Sequence, residues 1–332
     1  MSGTDQTGPR HGSPAARTAD RRVVPQAGVR VVLGSAFVDP RDPNNGLGNP
    51  FAVVIGADVA ALSSAQRRDL ARRTGAPETV FVDAVRQRTG LQSPSGYELD
   101  LTVLTPTGKA LGACAHGFIG TVHALTQTGA ITAGLDLLIT TPSGGSARAS
   151  LAGDGTVMLQ FDSSEPLIAY GRAQALEEIF HVPLPSLAAG LPVLSVGSPK
   201  LTVEVAPGAF ARLQRQLGGL DYDRLMALQR ELNVNGIHLF CRNDITGMPE
   251  RAIQTNAYLG RDLAVDRATG VSSAAQVSAD PRIHAGRQLQ ITQYTQTGRS
   301  AVLTLTKGEG RSVWVGGAAS LLGHHSAHPC SS

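Results

Sequence analysis

Three short segments, far apart in the chain, carry side chains that could move a proton or hold an anion. They are Pro77-Glu78-Thr79-Val80-Phe81-Val82, Cys114-Ala115-His116-Gly117-Phe118-Ile119-Gly120 and Val265-Asp266-Arg267-Ala268-Thr269-Gly270-Val271. Each sets one carboxyl or imidazole among small or apolar residues. The second and third place Gly and other small residues where a helix is expected to begin, at 115–117 and 270–272. A helix start presents unpaired backbone N–H groups and the positive end of the helix dipole, which suits a carboxylate. One carboxyl acid/base with two anion-binding helix starts fits an enzyme that moves protons on a small acid without a metal or organic cofactor. Each residue also has a plainer role. Glu78 could be a strand-end surface carboxylate, His116 a core histidine satisfied by one hydrogen bond, and Asp266 a carboxylate capping a helix N-terminus.

The elements that must position these residues can be read from pattern. Strands are expected at 29–37, 51–55, 80–85, 97–105 and 131–140. A short helix is expected over 63–74, with Ser63 or Ser64 as N-cap and Gly75 as stop. Between the fourth and fifth strands, 116–128 has helical length and is apolar nearly all round, the mark of a buried helix. The second half repeats the plan. A hairpin crosses Gly153-Asp154-Gly155, short helices cover 172–180, 210–216 and 222–231, and strands lie at 191–196, 201–205, 236–241 and 254–258. A second small-residue helix starts at Gly270, and strands at 289–293, 301–307 and 312–316 close the sheet. Strands wrapped around one Gly/Ala-rich helix per half predict two pseudo-equivalent α+β barrels with a ligand cleft between them.

Composition narrows the class. The chain has 332 residues, enough for two domains; 42% are hydrophobic, 17% charged, and 38 are Gly. That favours β-rich structure with tight turns. A net charge of +3 does not support a nucleic-acid surface, which needs a clustered basic face. Cys114, Cys241 and Cys330 are scattered, with no zinc or disulfide spacing. No run reaches the roughly 18 apolar residues of a membrane span, and the N-terminus lacks a secretory h-region, so a soluble cytoplasmic protein is expected. Residues 1–26 and 323–332 read as flexible tails. The histidines and Cys330 of the second tail have no ordered scaffold to make them a metal site.

The residues taken in order resemble the PhzF-like (phenazine biosynthesis) isomerase family. Ala36-Phe37 and Gly48-Asn49-Pro50-Phe51-Ala52-Val53-Val54 are similar to its opening, and Glu78-Thr79-Val80-Phe81-Val82 to the segment that follows. Thr105-Pro106, His116, Gly120-Thr121-Val122-His123-Ala124-Leu125, Asp266 with Thr269-Gly270, Gly298-Arg299-Ser300 and Val315-Gly316-Gly317 continue the match. It runs over about 29–321; any one motif is weak, and together, in order, they are specific. The resemblance implies the diaminopimelate-epimerase-like fold: α+β, two pseudo-symmetric barrels each wrapped around a central helix, often as a homodimer, with no cofactor. It implies a first domain over 27–140, completed by the last strand at about 311–321, and a second over 141–310.

The resemblance also assigns roles. Glu78 would be the proton shuttle; a carboxyl in a half-apolar cleft has its neutral form favoured, so it can take and return a proton near neutral pH. His116 would hold the substrate and assist the proton, and Asp266 would pair with the histidine and the substrate. Asn49, Ala115, Gly117, Thr269, Gly270, Val271 and Ser272 would bind substrate. The chain departs from the family at Pro77, Ala115, Val265, Arg267 and Val271, where a serine, a glycine or the family's Glu-Asp-Pro is usual, so a different substrate is expected. Cys114 resembles the first catalytic cysteine of proline racemases and diaminopimelate epimerases. No second cysteine lies near Thr269, so it reads as a small buried hydrophobe. The expected activity is a cofactor-free shift of a proton and double bond in a small cyclic unsaturated amino acid of antibiotic biosynthesis, such as an alkylproline or phenazine precursor. A single-base amino-acid epimerase and a catalytically silent metabolite binder are the alternatives. The expected partners are a small carboxylate and a second copy of the chain, without nucleic acid or membrane.

Overall fold

A computed structural model describes residues 28–39, 48–88, 96–152, 155–183, 190–256 and 265–322. The expected tails at 1–26 and 323–332, residues 40–47 between the first two expected strands, and Gly153-Asp154 of the hairpin turn lie outside the described residues. The elements are, in chain order, β1 (Arg30–Val38), β2 (Asn49–Ile55), α1 (Ser64–Thr74), β3 (Thr79–Arg88), β4 (Gly96–Leu104), β5 (Ala110–Leu111), α2 (Ala115–Gln127), β6 (Asp136–Thr140), β7 (Ser146–Leu151), β8 (Val157–Asp162), β9 (Leu167–Ala169), α3 (Ala173–Phe180), β10 (Leu191–Leu194), β11 (Lys200–Glu204), α4 (Pro207–Gln216), α5 (Tyr222–Glu231), β12 (Ile237–Arg242), β13 (Pro249–Thr255), β14 (Val265–Asp266), α6 (Gly270–Ala279), β15 (Gln288–Thr295), β16 (Gly298–Lys307) and β17 (Ser312–Leu322).

Eight strands close on themselves in the order β1, β2, β3, β4, β6, β7, β8, β17 and back to β1. α2 packs inside this barrel, against β1, β2, β3, β8 and β17. Its sequence explains the position. Ala115–Gln127 has no Asp, Glu, Lys or Arg, and ten of its thirteen residues are buried, a pattern that fits a helix surrounded on all sides. Gly120 lets it settle onto β2, because a Cβ there would lie 2.5 Å from the Phe51 ring. α1 lies outside, buries Leu70 and Ala71, starts with a capping box between Ser63 and Gln66, and stops at left-handed Gly75.

β17 also pairs with β16, and the sheet continues through β15, β13, β12, β11 and β10 to β9. Beyond β8, the Ser163 N–H donates to Arg311 O and the Ser164 N–H to Ser195 O, which draws the open side together. α6 packs against β10, β11, β13, β16 and β17, while α3, α4 and α5 bury leucines such as Leu176, Leu213 and Leu225 with the apolar face of β11 to β13.

The halves repeat one plan. β2 and β3 are parallel neighbours, as are β11 and β12; β4 and β6 are parallel around α2, as β13 and β15 are around α6. The expected pair of strand-wrapped central helices is therefore the observed fold.

Several boundaries differ from expectation. Of 131–140 only Asp136–Thr140 is strand, since only these residues pair with β4 and β7. The strand expected at 254–258 begins earlier, at Pro249, where pairing with its antiparallel partner β12 starts; 257 and 258 lie outside the described residues. β17 runs to Leu322 and not Gly316, because its second half pairs with β1. β5, β9 and β14 have two or three residues each, too few to show an alternating pattern. No helix among the described residues is long and apolar enough to cross a membrane.

Candidate active site

The register of β2 with β3 (Ala52 opposite Thr79) sets Glu78 at the rim of the first barrel, where its carbonyl accepts the Ala52 N–H. The start of α2 brings His116 to it: Nε2 lies 3.0 Å from Glu78 Oε2, with both side chains about 5% exposed. The distance is that of a hydrogen bond but the alignment is not. Oε2 is buried with no hydrogen-bond donor among the described residues, so a lone pair remains for an incoming proton. Burial presses against charging His116, but the Cys114 sulfur and the Glu78 carboxylate outweigh it and hold the imidazole pKa well above its ordinary value.

Asn49, at the first position of β2, ties this group to the second half. Its Nδ2 donates to Asp266 Oδ1 at 2.7 Å and to Ala268 O at 2.8 Å, and lies 3.1 Å from His116 Nδ1. Two oxygen acceptors settle the amide's orientation, which sets its nitrogen and not its oxygen beside His116 Nδ1. Asp266 also accepts from Asn256 Nδ2, the Ala268 N–H and the Thr269 hydroxyl. Burial and then Glu78 raise its pKa, while His116, Thr269 and Ala268 pull it back. Four donors converge on it, so Asp266 is an orienting carboxyl group. Its expected capping role takes a local form: it accepts Ala268 N–H, and the N-cap of α6 is Thr269, whose N–H goes to Gln293 Oε1.

The two helix starts meet. A Cβ on Gly270 would lie 2.6 Å from Ala115 Cβ, so only glycine allows this approach. Between the halves lies a cavity of about 20 Å³, room for roughly one water. Of the residues singled out in the sequence, Glu78, Ala115, His116, Asp266, Thr269, Gly270 and Val271 wall it. Asn49 stands behind them. Gly117 and Ser272 are buried in the first turns of α2 and α6 and do not line it. Ligand sites usually offer roughly 300 Å³ or more, so the cavity as it stands is too small for an amino acid.

Sequence reasoning missed Ser198, Lys200 and Asn256, which share the wall. It also undervalued Cys114. The residue is buried as expected, but its Sγ lies 3.6 Å from His116 Nε2 on the cavity wall. Burial, only partly offset by His116, raises the thiol's pKa. Cys114, His116 and Glu78 offer donor atoms within 4.8 Å of one another, a set zinc accepts. Glu78 already faces His116, and no step below uses a metal.

No family model and no curated protein matches the sequence. Solved structures do. A phenazine biosynthesis protein of the PhzF family from Bacillus anthracis is 19% identical with a TM-score of 0.63, over 90% of this chain and 99% of that one. A predicted epimerase from Pseudomonas aeruginosa is 20% identical with a TM-score of 0.67, over 91% and 99%. The fold is diaminopimelate-epimerase-like. A hydroxyproline epimerase from Agrobacterium vitis, with bound trans-4-OH-L-proline, shares it at 17% identity and a TM-score of 0.55, over 90% of this chain and 92% of that one.

Proposed function

We propose that the chain is a divergent PhzF-like isomerase that shifts a proton and a double bond in a small cyclic unsaturated amino acid, without a cofactor, in antibiotic-type metabolism. The observation that carries this reading is the buried Glu78–His116 pair, with an unbonded carboxylate lone pair on the wall of a cavity between two helix starts. Glu78 takes the proton from an activated ring carbon. The C–H electrons become a new C=C bond, the old C=C bond opens, and Glu78 returns the proton to its far carbon on the same face. The helix starts stabilise the negative charge that develops on the substrate carboxylate. His116 holds Glu78 in place, and Asp266 and Asn49 hold His116. Single-base epimerisation is the second reading, favoured by a fold neighbour whose bound ligand is a cyclic amino acid. The protein is expected to work as a cytoplasmic homodimer.

Deuterium incorporation from D₂O into cyclic dienyl amino acids and trans-4-OH-L-proline tests both readings. Wild type should label a substrate, and Glu78→Gln should slow labelling by about 10²- to 10⁴-fold, the usual worth of general acid–base catalysis. A shift in ultraviolet absorbance marks the double-bond isomerase, and loss of optical activity without such a shift marks the epimerase. Equal labelling by both proteins would remove Glu78 as the base. Ligand binding without labelling by either would leave a silent binder.

A further inference from the structure

A second cavity, of about 360 Å³, lies on the outer wall of the first barrel. It shares no residue with the small cavity between the halves, and it has the volume of a small-molecule site. Strand register builds its floor. Leu138, Arg148, Gln160 and Trp314 are successive partners across β6, β7, β8 and β17. Their chain neighbours Ile139, Ala147, Leu159 and Val315 are buried in the barrel core, so this row faces outward. Gln160 Nε2 is drawn along β17 to Ser312 Oγ at 3.4 Å, which leaves Arg148 and Trp314 on either side of an open space. One step along the strands, Arg88, Gly96 and Asp136 are partners across β3, β4 and β6. Gly96 leaves the middle of that row bare. The Arg88 side chain crosses it and donates from Nη2 to Asp136 O at 3.4 Å; a Cβ on Gly96 would lie 2.9 Å from that nitrogen.

Both cations of this cavity lack an anion. Arg148 has no hydrogen bond or ion pair among the described residues. Arg88 bonds only to the backbone carbonyl, and its Nε is buried without an acceptor. Arg86, two residues earlier on the same strand, is by contrast paired with Asp100 at 2.7 Å. Asp136 is the one acid among the described lining residues and pairs with neither arginine, so two arginines against one aspartate leave the cavity positive. We propose that it is a second binding site, for a flat aromatic anion. The ring lies on the Trp314 indole and Leu138, and the acid group is taken by the guanidinium forks of Arg148 and Arg88. Such forks match a carboxylate in two parallel hydrogen bonds, and an indole offers a wide apolar face to a second ring. A neutral ring would leave the arginines unmatched, and a small aliphatic acid would leave Trp314 uncovered. No His, Cys, Ser or Lys is among the lining residues, so the ligand is held here and not converted. The inference does not depend on the isomerase reading.

Trp314 is the only tryptophan of the chain, so its fluorescence reports directly on this cavity. The probes are 4-nitrobenzoate and its neutral relative 4-nitrobenzamide, flat rings that both quench an indole they touch. Quenching by the carboxylate should saturate, at a concentration at least about tenfold lower than for the amide, the worth of a hydrogen bond to a charged group. Arg148 is exposed, so its substitution should leave the fold intact. Arg148→Gln should remove most of the preference without changing the weak binding of the amide, and Arg148→Lys, which keeps the charge but not the fork, should restore part of it. Glu78→Gln should bind the carboxylate as wild type does, which separates this site from the cavity between the halves. Quenching that does not saturate, equal binding of the two probes, a preference that survives in Arg148→Gln, or one that disappears in Glu78→Gln overturns the proposal. So does a Trp314 shielded from acrylamide until dilution dissociates a dimer, which would assign this face to a second copy of the chain.

Discussion

At the scale of the residue, the site is a set of buried charges that fold and function value differently. Lys200 is the clearest case. Its pKa falls from 10.5 unfolded to about 8 folded, through burial. A depressed lysine weakens the fold fully below the folded value, less between pH 8 and 10.5, and not at all above. Lys200→Met should therefore raise stability at pH 7 by on the order of 1–3 kcal/mol, with the gain fading as pH rises from 8 toward 10.5. Urea unfolding at pH 7 and pH 10 checks this; a methionine variant no more stable than wild type at pH 7 would show that the ammonium is well solvated. Glu78, His116 and Asp266 could be singled out because each lies in a distinctive motif. Lys200 could not, because one lysine after a Ser-Pro in an apolar stretch carries no such mark.

At the scale of the element, the two central helices were legible because their composition is unusual. An uncharged, Gly- and Ala-rich stretch of helical length has nowhere to go but inside. α1 was equally plain from its capping residues, Ser63 and Gly75. The contact of α2 with β2 gives a prediction. Gly120→Ala would push a methyl into the Phe51 ring, whose nearest atom is 2.5 Å away. Phe51 is fully enclosed and has little room to move, so overpacking should cost about 1–3 kcal/mol although alanine is the better helix former. Thermal unfolding should show a lower Tm; an unchanged or higher Tm would mean that the ring relaxes. The short strands β5, β9 and β14 escaped sequence reading because pairing with their neighbours, not their own pattern, makes them strands.

At the scale of the whole molecule, one strand serves both barrels. The first part of β17, Ser312 to Gly317, pairs with β8, and Val313 to Gly316 also pair with β16, while Ala318 to Leu322 pair with β1. A chain ending at Gly317 should open the first barrel alone. Five residue pairs are lost, and at about 1 kcal/mol per hydrogen bond the first half should weaken by roughly 3–5 kcal/mol. Hydrogen exchange should then quicken in β1 while β15 and β16 stay protected; equal loss of protection in both halves would show that they unfold as one unit. The same shared strand, with Asn49 reaching across to Asp266 and Ala268, holds the two helix starts face to face.

The sequence by itself determined the α+β class, the repeated plan, the two buried helices and the segments that hold Glu78, His116 and Asp266. These depend on local signals: period, capping chemistry, glycine positions and short motifs. Only the tertiary structure decided that Asn49 bonds to Asp266 across 217 positions, that Cys114 lies against His116, that β17 closes the first barrel, and that Lys200 enters the site. Each of these depends on which strand lies beside which, and long-range pairing is set by the summed packing of the whole chain, not by the residues at the contact.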